Sequence, residues 1–154
     1  MTSSRRAADP DAQRQAVRAL ARMSRVLERS SAELNLAHYR VLSAIASGDQ
    51  RASRVAARLA LGRPTVSSAV DALCKRGLIE RTGVEGDQRA ASLSLTRDGE
   101  AMLERVEAEM VRRLDLLCAR TPDGAQVIQS LAWLGPAIDA AVAERRPDSI
   151  ATGR

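Results

Sequence analysis

Apolar residues recur at helical spacing along most of the chain, and a single central stretch breaks that rhythm. Val17, Leu20, Ser24 and Leu27, widened by Ala21, Met23 and Val26, mark one face of a helix predicted to run to about Ser30. Asp9-Pro10-Asp11 starts it, with an acid at the N-cap, a proline at the first helical position and a second acid in the first turn. A second helix is predicted from about Asn35 to Ser47, with Leu36, Tyr39, Leu42 and Ile45 or Ala46 inward and Gly48 as its stop. A short third helix follows, with Ser53 as N-cap and Val55, Ala56 and Leu59 inward, and Leu61-Gly62 turns the chain. Arg63-Pro64-Thr65 opens a fourth helix, with Pro64 at its first helical position. Val66, Ala69, Val70 and Leu73 form its apolar stripe, and Thr65, Ser67, Ser68, Asp71, Ala72 and Lys75 lie on the opposite face. Gly77 closes it in the left-handed region.

After Gly77 the period falls from 3.6 to 2. Residues 78–82 and 91–96 read as two strands, and the polar, glycine-punctuated segment 83–89 reads as a hairpin tip. Thr96 is the next N-cap, with Asp98 and Glu100 in the first turn. A long helix to about Arg120 carries Leu103, Val106, Met110, Leu114 and Leu117 inward, and Thr121-Pro122-Asp123-Gly124 interrupts it. A last helix over roughly 123–145 carries Val127, Leu131, Leu134, Ile138 and Val142, and 147–154 is a tail. Short helix, tight turn, helix, glycine, strand, polar tip, strand is the order of a winged helix-turn-helix, here over residues 35–97. The predicted fold class is mainly α with a small β-wing, the winged domain being flanked by helices at 1–34 and 98–146.

Composition narrows the function. Over 154 residues, 24 Lys+Arg oppose 19 Asp+Glu, for a net charge of +5. Residues 51–97 hold nine basic and four acidic groups, while 1–50 (+3) and 98–154 (−3) cancel, so the whole excess sits on the winged segment. Lys75 is the sole lysine, and the other cations are arginines. Tyr39 and Trp133 are the two aromatics, and with 45% hydrophobic residues the chain relies on small aliphatics for its core. No run of 18 apolar residues exists to span a membrane, and the start of the chain lacks the apolar stretch of a signal peptide. Cys74 and Cys118 make no disulfide framework, so a cytoplasmic location is expected. With one histidine, no phosphate-cradling glycine loop and no set of metal ligands, no enzyme, cofactor or metal site is expected.

A DNA-reading helix must bury one face and offer small polar side chains on the other, so that its backbone can approach the floor of the major groove. Thr65, Ser67 and Ser68 suit that role near the positive end of the fourth helix. Arg63 stands at the entry, able to reach a guanine edge or a phosphate. Arg54, Arg58, Arg76 and Arg81 are positioned around the rim to neutralise phosphates, and Arg89 at the hairpin tip suits a minor groove. Asp71 reads as a local ion-pair or solvated residue rather than a base contact.

The stretch from Arg63 to Arg81 (RPTVSSAVDALCKRGLIER), with Asp87-Gln88-Arg89 and Leu93-Ser94-Leu95-Thr96-Arg97-Asp98-Gly99, resembles the MarR family of transcriptional regulators. The resemblance implies a homodimer whose N- and C-terminal helices interlock. It implies binding to a pseudo-palindromic double-stranded operator, repression, and release by a small phenolic or drug-like effector. It assigns recognition-helix contacts to Arg63, Pro64, Thr65, Ser67 and Ser68, the wing contact to Arg89 oriented by Asp87, and backbone contacts to Ser53 and Arg81. The two reader helices of such a dimer would stand about 34–36 Å apart, or a multiple of that. The family's effector pocket borders the second helix near His38 and Tyr39, which otherwise read as packed or capping residues. The oxidant-sensing cysteine and the urate-type tryptophan that some members carry in the first helix are absent here. Two alternatives stay open. One is a redox sensor built on Cys74 beside Lys75 and Arg76, and the other is a winged helix that binds protein instead of DNA. Cys118 reads as structural, and Trp133 as part of the dimer core.

Overall fold

The computed structural model describes residues 9–83 and 91–145. In chain order the elements are α1 (Pro10–Glu28), α2 (Leu36–Ala46), α3 (Ala52–Leu59), α4 (Arg63–Lys75), β1 (Ile79–Thr82), β2 (Ser92–Leu95), α5 (Arg97–Cys118) and α6 (Gly124–Glu144). The tip residues Asp87 and Arg89 and the tail lie outside the described residues.

Helix starts follow local chemistry. Asp9 accepts from the Asp11 amide, Asn35 from His38, Thr96 from Gly99 and Asp123 from Gln126, each satisfying an amide that the helix leaves unpaired. Ser53 departs from expectation. Arg51 is the N-cap of α3, in extended backbone and with no side-chain cap bond, so Ser53 lies inside the first turn. The turn after α3 also differs in detail, because Ala60 takes the left-handed conformation (φ 51°) and Gly62 does not. Helix α4 begins at Arg63, making Pro64 its second helical residue.

The core sits inside the winged domain and the adjoining half of α5. Leu42, Leu73, Val41, Val55, Val66, Val70 and Val106 are fully enclosed, each contributing roughly 1.5–3 kcal/mol from burial. Small branched side chains allow α2, α3 and α4 to approach closely, as expected of a core without phenylalanine. The strands pair antiparallel, Ile79 opposite Leu95 and Arg81 opposite Leu93. The Leu93 amide also donates to the Gln50 carbonyl at 2.7 Å, which fastens the wing to the α2–α3 turn. At the exit of the wing the Thr96 hydroxyl donates to the Gly77 carbonyl at 2.6 Å while accepting from the Gly99 amide at 3.0 Å.

Helices α1 and α6 bury no residue fully. Val17 is 68% exposed, Trp133 62% and Ile138 57%. Leu27 at the end of the α1 row nevertheless packs against the core, and Val142 of α6 faces α3. Helix α6 also runs through Pro136, whose ring nitrogen has no hydrogen to continue the ladder.

Candidate nucleic-acid interface

Helix α4 is divided lengthwise. Val66, Ala69, Val70 and Leu73 are buried, whereas Arg63, Pro64, Thr65, Ser67, Ser68, Asp71 and Lys75 are exposed. The division follows the 3.6-residue period, so the hydroxyls form one continuous outward strip. Helices α3 and α4 are also the two helices in the described chain that start with no side-chain cap bond. Their first amides are therefore left for solvent or an anion.

A cleft of about 630 Å³ runs beside this strip. It is lined by Ser53 on α3, Arg63, Ser67 and Asp71 on α4, and Arg81 on β1, over a floor that includes Val70 and Leu93. Five of the residues singled out from the sequence thus meet around one opening. Asp71 forms an ion pair with Arg81. That agrees with the local role read for Asp71, and it holds the arginine between reader helix and wing. Among the described residues no ion pair engages Arg54 or Arg63. Both guanidiniums are exposed.

Two rim arginines are occupied differently from the sequence reading. Arg76 donates to the Glu33 carbonyl at 2.9 Å, which turns it toward the α1–α2 loop. Arg58 is turned away from the reader surface, bonding Asp49 at 3.4 Å and Asp139 on α6 at 3.2 Å. Asp49, Asp139 and Glu33 were not singled out from the sequence. Arg58 and Asp139 are 81 residues apart, so no local spacing links them.

His38 and Tyr39 take up packed positions. The His38 amide donates to the Asn35 cap at 2.8 Å, and its imidazole is held below the ordinary value of 6.5 by burial and then by the Arg76 charge. The Tyr39 hydroxyl donates to Glu107 at 3.2 Å, joining α2 to α5, and burial followed by the Glu107 charge pushes its pKa up. Neither residue lines the cleft beside α4 or the cavities next to α5 and α6. Cys74 is half-buried, and burial pushes its thiol up, opposed by Arg81 and reinforced by Asp71. Lys75 and Arg76 are not among the charges that act on it. Its environment favours the thiol over the nucleophilic thiolate. Cys118 is buried. Among the described residues no helix is long and apolar enough to cross a membrane, and no cluster of three metal-ligating side chains occurs.

Residues 32–90 match the model of the MarR family. No curated protein sequence matches the chain. Among solved structures, a MarR-family transcriptional regulator from Rhodococcus is 19% identical, with a TM-score of 0.70, covering 87% of this chain and 96% of that one. Wild-type MarR from E. coli, in its apo form, is 18% identical, with a TM-score of 0.65, covering 82% and 95%. The PcaV transcriptional regulator from Streptomyces coelicolor, in complex with its natural ligand, is 24% identical, with a TM-score of 0.59, covering 92% and 99%. Residues 32–90 thus match the MarR family model, and the chain shares its fold with these regulators.

Proposed function

We propose that the protein is a homodimeric transcriptional repressor that reads a pseudo-palindromic operator and is released by a small effector. The observation that carries this reading is the lengthwise division of α4, with an enclosed aliphatic stripe on one side and an exposed hydroxyl strip flanked by Arg63 on the other. Thr65, Ser67 and Ser68 enter the major groove, where small side chains let the backbone come close to base edges. Pro64 fixes the entry angle, and Arg63 reaches a guanine edge or a phosphate. Ser53, Arg54 and Arg81 take backbone phosphates, Arg81 being steadied by Asp71. Arg76 serves the same rim once it leaves the Glu33 carbonyl. Asp87 and Arg89 supply the minor-groove contact; that part rests on the sequence alone.

The exposed rows of α1 and α6 support two-fold assembly, because an apolar surface of this extent is stable in water when covered. The effector part draws on relatives. PcaV is recorded with its natural ligand, and a MarR from Staphylococcus aureus with salicylate and kanamycin. Small phenolic or drug-like molecules are the class to try, with His38 and Tyr39 as the first residues to probe. A cytoplasmic site of action follows from this role.

The test is selection of genomic fragments by the full chain, followed by mobility shift across a salt series. The expected result is a specific inverted-repeat site whose log affinity falls by about 0.9 per log unit of salt for each phosphate contacted. Recovery of no specific site would overturn the reading. Binding of a protein with weak salt dependence would replace it with an interaction module.

A further inference from the structure

Arg58 is the structural anomaly of the winged domain. It sits in the last turn of α3, the helix that braces the reader, yet its guanidinium is committed elsewhere. One nitrogen bonds Asp49 in the α2–α3 turn at 3.4 Å, and another bonds Asp139 on α6 at 3.2 Å. The Asp49 side chain is largely enclosed at 17% exposure, whereas Asp139 is half open at 51%. One planar cation thus joins the reader half of the molecule to the C-terminal helix.

The packing around this junction is thin. Cavities of about 280 Å³ and 420 Å³ lie along the seam between α3 and α6, with Ala57 and Val142 lining both. Their apolar lining is four alanines with Ile138 and Val142, and side chains facing a gap forfeit dispersion contacts. Apolar packing therefore does little to set the angle between α3 and α6. A guanidinium held by two carboxylates is directional, because its donors form a fixed fork.

We propose that Arg58 is a positioning residue for operator binding, an ionic latch through which α6 fixes the stance of the α3–α4 reader on the dimer frame. The proposal rests on the homodimeric reading above. Arg58 touches no nucleotide. It acts through α3, and so through the distance between the two reader helices. With the latch closed, both readers are held at one separation and a two-half-site operator meets a preorganised surface. With it open, each reader turns on the thin seam, and the second half-site is reached at a cost. Because Asp139 is half open to solvent, added salt screens this arm of the latch.

The experiment compares the full-length protein with Asp139→Asn, Asp139→Glu and Arg58→Lys. The first readout needs no DNA: hydrogen exchange along α3 and along residues 137–144. Faster exchange at both in Asp139→Asn and Arg58→Lys, with α2 unchanged, is expected, and exchange identical to wild type overturns the latch. The second readout is affinity for the selected operator, for the same operator with one base pair inserted between half-sites, and for a single half-site. Asp139→Asn is expected to lose about tenfold on the intact operator and to discriminate less against the inserted one. Affinity for the half-site and the salt slope measured on it should stay unchanged, and Asp139→Glu should recover binding. An equal change on all three DNAs overturns the positioning role, as does a salt slope in Arg58→Lys that marks a lost phosphate contact. If no DNA is bound specifically, the repressor reading and the positioning role fall together, while the exchange data still decide whether the latch exists.

Discussion

Gly99 has no room for a side chain. A methyl group there would stand 2.0 Å from the Leu78 carbonyl oxygen, a backbone atom that cannot step aside. The Thr96 hydroxyl draws the start of α5 onto the Gly77–Leu78 backbone, and a bare α-carbon is what permits the approach. Gly99→Ala is expected to destabilise the protein by about 3 kcal/mol or more, as overpacking against backbone does. A shift of the urea midpoint at constant slope would register it, and a stability within 1 kcal/mol of wild type, about the scale of an average substitution, would show that the joint can open without harm. His38 gives a second residue-level expectation. Its folded pKa lies below the ordinary 6.5, so the unfolded chain binds more protons around and below that pH. The stability associated with neutral His38 is present above pH 6.5 and is lost as the pH falls through the folded value. Thermal unfolding from pH 8 to pH 5 should show a decline that His38→Gln flattens, and equal declines in both proteins would assign the effect to other groups.

Helix starts separate the frame from the reader. Asp9, Asn35, Thr96 and Asp123 cap α1, α2, α5 and α6, whereas α3 and α4 begin without a side-chain cap bond. Gly62, at the start of α4, has a φ of −63°, and a β-carbon built on it meets nothing nearer than 3.7 Å. Gly62→Asp therefore fits, would cap α4 and would gain about 0.5–1 kcal/mol of stability. The same carboxylate would stand where a phosphate is expected. Operator affinity should fall at least tenfold while the urea midpoint rises, and unimpaired binding would remove the start of α4 from the interface. Element types were readable in the sequence because caps and apolar periods act over a few residues. Asp9, Thr96 and the Val66–Leu73 stripe are such cases. Ser53 misled because its residue type suits a cap, whereas the backbone leaving the Gly48 turn becomes helical at Ala52, two residues before a Ser53 cap would start it. The bonds of Arg58 to Asp139 and of Arg76 to Glu33 could not be read at all, since they join segments 81 and 43 residues apart. The cleft lined by Ser53, Arg63, Ser67 and Arg81 was readable as a set, because it follows from the geometry of three consecutive elements.

For the molecule as a whole, the apolar rows on α1 and α6 predict assembly. Leu134 and Ile138 are 43% and 57% exposed on α6, beside Trp133, and Ile138 also borders the cavity toward α3. Introducing Leu134→Glu together with Ile138→Glu would bury two charges in any seam formed there. Sedimentation velocity should report a dimer for the wild type and a monomer for the double variant, with specific DNA binding lost as well. A dimer that survives both changes would locate the seam elsewhere. Pro136 lies between these features. The missing amide hydrogen leaves α6 least stitched at that residue. Val127, Leu131 and Leu134 precede it, and Asp139 follows it. In the proposed dimer, Pro136 would be the place where α6 gives way between its leading turns and the stretch tethered through Arg58.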